Sequence, residues 1–266
     1  MPVDGATRLY AIIGCPIAQA RSPAVFNRLF GRLGVPAVLV PVEIAPADLA
    51  IGLAGLTAIA NLDGIIVTVP HKPRMAALAD AVAPMGQRVG AVNALRRRPQ
   101  GGWLADMFDG RGFVAGLAGR GHAVAGRSAL LVGAGGAGSA IAFALAEAGI
   151  ARLHIRDIAP ERAVALARRV ADACPHLRPT AGPQAEPADI AINATPLGMA
   201  AEDPLPLDVQ ALAPGTLVVD VIMKPARTRL LAQAEARGLP THAGRHMLDA
   251  QVDAIAGFFG LLPPRS

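Results

Sequence analysis

Short apolar runs alternate with stretches of helical spacing along the first part of the chain. They are Leu9–Ile13, a helix from Pro23, Val38–Val42, a helix from Pro46, Gly64–Val69 and a helix from Lys72. That rhythm is the strand–helix–strand repeat of an α/β domain. Strands at Ala91–Leu95 and Trp103–Ala105, joined by a solvated turn at Arg96-Arg97-Arg98, complete it. From about residue 110 the alternation resumes with a connecting helix, the run Ala129–Val132, a helix over Ala137–Ala148, a strand at 152–156 and a helix at 160–171. Strands Asp189–Ala194 and Thr216–Val221 and a helix Arg227–Ala236 follow, which predicts a doubly wound parallel sheet. Gly244–Gly260 is amphipathic and rich in Ala, Ile and Phe, as expected of a helix returning to the first domain. The expected organisation is an α/β domain over 1–108, a Rossmann domain over 109–238 and a returning helix within 239–266. The active site is expected in the cleft between the two domains, where the carboxyl ends of strands meet.

Directly after Ala129–Val132 the glycines fall at Gly133, Gly135 and Gly138, with Gly136 and Ala137 between them, a G-x-G-x-x-G in strand–turn–helix context. The first glycine permits a tight turn, the second lets a pyrophosphate approach the backbone, and the third lets helix pack on strand. The helix that follows points free N–H groups and the positive end of its dipole at the phosphates. A second apolar stretch, Leu153–Ile158, carries Asp157 at about the spacing of a ribose-binding acid. A chance glycine turn, a nucleoside site of another kind, or a methyltransferase using the turn for S-adenosylmethionine would share this local pattern.

Composition narrows the class. The chain has 266 residues, 53% hydrophobic and only 17% charged, enough for two modest domains or one large one. No apolar stretch reaches the roughly 18 residues of a membrane span, and the first residues lack a basic region followed by a long apolar core. Cys15 and Cys174 have no metal-ligand spacing and fit a reducing cytoplasm; no metal site is expected. The net charge of +5 does not indicate nucleic acid, because one Trp and one Tyr leave little to stack on bases and no nucleic-acid-binding pattern is present. A mild positive field favours anionic small molecules. Among 25 basic residues only Lys72 and Lys224 are lysines. Lysine can release its proton when its pKa is lowered, and arginine cannot. Lys72 follows an apolar strand and a sharp turn, a place to project a side chain into a cleft, although a surface charge would also suit it. Lys224, in a Pro-flanked loop, reads as a surface charge.

Several motifs in order resemble the shikimate dehydrogenase family, including its quinate/shikimate members. They are GCPIAQARSPAVFN, GIIVTVPHK, GAVNALRR, ADMFDGRGF, the glycine turn, INATPLGM, DVIMKPARTRLL and GRHMLDAQ, and they span nearly the whole chain. The resemblance implies reversible hydride transfer between a nicotinamide cofactor and a ring hydroxyl of a shikimate- or quinate-like carboxylate. It makes Lys72 and Asp109 the catalytic pair, the lysine passing the proton and the carboxylate orienting it; a plain helix N-cap is the other use of Asp109. It assigns Asn93 and Gln251 to the ring hydroxyls, and Ser22 and Thr68 to the substrate carboxylate. Beside the cofactor it places Asn193 and Thr195, with Met199 and Gly244 near the nicotinamide. The implied partners are a small ring carboxylate and a dinucleotide, with no nucleic acid and no membrane, in a monomer or homodimer.

The departures are Ala20 for a serine, Ile66 for an asparagine, and Met107-Phe108 for Asn-Thr. Apolar walls leave a substrate hydroxyl unpaired, which suggests a less hydroxylated, amino-substituted or otherwise altered ring acid. At the second Rossmann strand stands Arg156-Asp157, where family members using NADP carry an arginine. An aspartate there bonds both ribose hydroxyls and repels a 2′-phosphate, so NAD is expected to be favoured over NADP. A non-catalytic dinucleotide-binding sensor or scaffold is the alternative, disfavoured by the intact Lys72–Asp109 pair.

Overall fold

In the computed structural model, which describes residues 3–184 and 186–262, the chain divides into two compact units. One runs up to Phe108 and takes in the chain from Val252; the other is Asp109–Gln251. The first unit carries β1 (Arg8–Gly14), α1 (Ser22–Leu33), β2 (Ala37–Glu43), α2 (Leu49–Ala58), β3 (Leu62–Val67) and α3 (Lys72–Leu78). A short β4 (Ala81–Val82), α4 (Pro84–Val89), β5 (Ala94–Arg97) and β6 (Trp103–Asp106) complete it. The strands form one sheet in the order β2-β1-β3-β5-β6-β4.

Alternation along β3 sends successive isoleucines to opposite faces. Ile65 joins Ile13, Leu49, Leu53, Met75 and Leu95 on one side. Ile66 joins Tyr10, Ile12 and Ala94 on the other, beneath Phe26, Leu29 and Phe30 of α1. Each such side chain contributes roughly 1.5–3 kcal/mol of burial. The sheet is mixed, because β5 runs antiparallel to both β3 and β6. That reversal brings the start of β5 beside the end of β3, where the Val67 N–H donates to the Asn93 carbonyl at 2.8 Å.

The second unit contains α5 (Asp109–Ala118), β7 (Ser128–Val132), α6 (Gly136–Glu147), β8 (Arg152–Arg156), α7 (Pro160–Ala173) and β9 (Thr180–Ala181). It continues through β10 (Ile190–Asn193), β11 (Leu217–Asp220), α8 (Arg229–Ala236) and β12 (Thr241–Ala243) into α9 (Arg245–Phe258), whose residues from Val252 belong to the first unit. The sheet order is β12-β11-β10-β7-β8-β9 and every pairing is parallel. The order reverses between β7 and β10, and in such sheets the crevice beyond the carboxyl ends at that point is where ligands bind.

His122, His242 and His246 meet in the second unit, with ring centroids 5.7 and 4.8 Å apart. Burial holds His242 down at about 4, and His246, His122 and Arg120 add repulsion. His246 is also lowered, by burial and then by Arg245 and Arg120, with Asp249 opposing. The unfolded chain protonates His242 near 6.5, whereas the folded chain holds it neutral down to about 4. Stability contributed by the neutral His242 ring is therefore present above that range and lost as pH falls from 6.5 toward 4. Melting followed by fluorescence across this window should show Tm falling, and His242→Phe should flatten the fall; an unchanged slope in the variant would remove the cluster as its cause.

Candidate functional site

The first unit collects four of the residues singled out in the sequence at one end of its central strands β1, β3 and β5. Ser22 is the first residue of α1, after the loop that leaves β1, and is 8% exposed. Thr68 follows β3, and its N–H donates to the Ile13 carbonyl at 2.9 Å. Lys72 opens α3, and its carbonyl accepts from the Val92 N–H at 3.0 Å. Asn93, buried just before β5, accepts the Phe108 N–H on Oδ1 at 2.9 Å, which fixes which end of its amide is the donor. Loops leaving β1 and β3 and the one entering β5 thus converge because β5 is reversed.

Ile66 and Phe108 share one apolar cluster with Val252, Ile255 and Ala256 of α9, and Ala20 packs against it. The Phe108 ring lies 5.1 Å from that of Phe258. Core packing accounts for their apolar character without an appeal to substrate.

Asp109 is the first residue of α5 and is 2% exposed. Close approach follows from the glycines after it: a Cβ on Gly110 would lie 2.3 Å from the Ala140 carbonyl oxygen of α6. Gln251, buried on α9, stands against Gly112, where a Cβ would come 2.6 Å from its own Cβ.

In the second unit the glycine turn has the form its spacing implies. Gly133 has φ 108°, closed to ordinary side chains. A Cβ at Gly138 would lie 1.8 Å from the Gly133 carbonyl oxygen. Gly135, by contrast, faces open space except for Arg162, whose Nη2 would be 3.7 Å from a Cβ there. Gly136 and Ala137 form the first turn of α6. This is a cradle with room for a pyrophosphate at a helix N-terminus, so the residues fit a dinucleotide. Alongside, Ala194 N–H donates to the Val132 carbonyl at 2.7 Å, which sets the loop after β10 next to the turn.

Asn193 is fully buried, and its amide is committed inside the unit. Oδ1 accepts from Thr195 N–H at 3.0 Å and from its hydroxyl at 2.7 Å, while Nδ2 donates to the Leu197 carbonyl and to Asp220, both at 3.1 Å. Asp220 also accepts from the Thr228 hydroxyl at 2.7 Å and the Ile222 N–H at 3.0 Å. Burial pushes its carboxyl up, and these three hydrogen bonds oppose the rise. Sequence reasoning missed Asp220 and Thr228; an acid closing a strand before a Pro-containing loop was the available signal. Met199 lines a cavity of about 600 Å³ with Leu197, Leu205, Leu230 and Lys224. Gly244 lies beside β11, where a Cβ would be 2.4 Å from the Val221 carbonyl oxygen.

The preference for NAD is corrected on two grounds. Asp157 Oδ2 accepts the Ala134 N–H at 2.6 Å and Oδ1 the Ala159 N–H at 3.0 Å, with Arg162 Nη1 at 3.9 Å. The carboxylate expected to hold the ribose and repel a 2′-phosphate instead braces the turn, and its charge is opposed by Arg162. Arg162, which sequence reasoning also missed, stands beside Asp157, and Arg156 is the last residue of β8. The second ground is the relatives themselves.

A family model for the shikimate dehydrogenase substrate binding domain matches residues 12–95. Shikimate dehydrogenase (NADP(+)) of Acidiphilium cryptum is 42% identical over 99% of this chain and 94% of its own length. The enzyme of the same name from Rubrobacter xylanophilus is 38% identical over 98% of this chain and 94% of its own. Among solved structures, shikimate 5-dehydrogenase from Thermus thermophilus, in complex with NADP(H) and shikimate, superposes with a TM-score of 0.84 at 32% identity, covering 97% of this chain and 95% of that one. Relatives named for NADP overturn the expectation of NAD.

Proposed function

The chain belongs to the shikimate dehydrogenase family, and from that premise we propose that it interconverts shikimate and 3-dehydroshikimate with NADP. It is a nicotinamide-dependent oxidoreductase acting on a CH–OH group. The relatives described above, named as shikimate dehydrogenases, support neither the sensor nor the methyltransferase alternative. We place it in the cytoplasm, working on freely diffusing small molecules as a monomer or homodimer; among the described residues no helix is long and apolar enough to cross a membrane.

The observation that carries this reading is the gathering of Ser22, Thr68, Lys72 and Asn93 at one end of the first unit's central strands. Two hydroxyls there can donate to a carboxylate, an amide can hold a ring hydroxyl, and an ammonium can exchange a proton. Lys72 delivers a proton to the reacting oxygen on reduction and receives it on oxidation, and Asp109 is carried over from the family resemblance as the second catalytic residue. Gln251 takes a second ring hydroxyl. In the other unit, Gly133, Gly135 and Gly138 with the start of α6 would hold the pyrophosphate, and Arg162 and Arg156 would face the 2′-phosphate. When bound, the dinucleotide supplies or accepts the hydride.

The test is reduction of NADP followed at 340 nm with shikimate, and with NAD in parallel. Turnover with NADP is expected, and Arg162→Ala should raise KM for NADP by roughly tenfold, the loss of one charge-assisted hydrogen bond, with little change for NAD. Absence of turnover with shikimate and with other hydroxylated ring acids would sink the proposal.

A further inference from the structure

We infer that His71 is a positioning residue for Lys72: its imidazole, clamped on the Ile44 carbonyl, fixes the direction in which the lysine stem leaves the turn between β3 and α3. This rests on Lys72 being the proton-transferring group proposed above. His71 is 1% exposed, and its Nε2 lies 2.7 Å from the Ile44 carbonyl oxygen, 27 residues away in sequence. A carbonyl only accepts, so Nε2 carries the proton. The acceptor is itself held, since the Ile44 N–H donates to the Gly14 carbonyl at 3.2 Å. Arg74, one turn further along α3, donates from Nη1 to the Pro46 carbonyl, so two side chains of this short segment grip the same connection after β2.

His71 stands at the N-cap position of α3, yet no side-chain hydrogen bond caps the helix. Asn, Asp or Ser would serve a cap better. A ring that forgoes the local bond for a distant one fixes the turn as a whole against the sheet. On the other side of Lys72, its carbonyl accepts from Val92 N–H at 3.0 Å, next to Asn93. The lysine backbone is thereby pinned from both sides before its flexible four-carbon stem begins. The need is physical, because a misplacement of about 1 Å can cost about 10²-fold in rate.

His71→Asn separates positioning from folding: asparagine can cap α3 but is too short to reach Ile44. It should keep Tm near that of the parent and lower kcat by roughly 10–100-fold, with KM for shikimate and Kd for NADP little changed. The limb of the pH–rate profile that depends on Lys72 should move. His71→Gln, whose amide N–H reaches further, should recover most of kcat. In a Lys72→Met background, His71→Asn should lower the residual rate no further. Parental kcat and pH profile in His71→Asn would overturn the inference, as would an equal further loss in the Lys72→Met background. Full turnover by Lys72→Met alone would instead overturn the reading on which the inference rests, and this inference with it.

Discussion

Lys72→Met is expected to lower kcat by roughly 10²–10⁴-fold, the range a positioned proton donor supplies, while Kd for NADP stays close to the parent's. Methionine keeps the length and much of the apolar contact of the stem and removes only the charge and the exchangeable proton. Asp109→Asn should also act on kcat, because the amide keeps the shape of the carboxylate and loses its charge. The split between kcat and cofactor affinity is expected because Lys72 lies in the first unit and the glycine turn in the second. Steady-state kinetics under conditions where chemistry limits the rate, with NADP binding measured separately by fluorescence, decide it. Parental turnover in both variants would mean that the proton travels by another route.

Gly138→Ala should abolish tight NADP binding and lower Tm together. One methyl group would sit 1.8 Å from the Gly133 carbonyl oxygen, so the turn has to open. Overpacking of this kind costs about 1–3 kcal/mol or more, about 10- to 100-fold in affinity if the damage falls on the cradle. Gly135→Ala is the informative companion. Its φ of −78° suits alanine and its surroundings are open, so the fold should keep its Tm. Affinity should fall all the same, because the methyl group enters the space left for the pyrophosphate. Equal behaviour of the two variants, in either direction, would refute the division of labour between these glycines.

The alternation of strand and helix was legible because the buried strands are short runs such as Ile65-Ile66-Val67 and Leu130-Leu131-Val132, bounded by turns. β4, β9 and β12 went unread: two or three residues carry no periodicity, and only pairing with a neighbour makes them strands. The expected strand at Ala91–Leu95 begins at Ala94, because Val92 turns aside to bond Lys72. Gly133 and Gly138 were legible because nothing but the lack of a Cβ fits their places. Asp157 was misread, since a carboxylate at a strand end can serve a ligand or its own backbone, and only the folded turn shows the N–H groups of Ala134 and Ala159 already there. Ile66 and Phe108 looked like pocket walls for a related reason. Much of what covers them comes from α9, far along the chain, and such packing leaves no local trace.

The placement of α9 sets an order of events during synthesis. Tyr10, Ile12, Phe26, Phe30 and Ile66 are among the first residues to leave the ribosome, yet the face they share is finished by Val252, Ile255 and Ala256. At about 5–20 residues per second, roughly ten seconds or more separate the two. Over that interval the whole Asp109–Gln251 unit can emerge and fold, while the older half of the molecule waits with an aromatic face uncovered. The nascent chain is therefore most open to chaperones at its oldest end, and a stop codon shortly before Val252 would leave a protein with a finished Rossmann sheet and an unsealed partner.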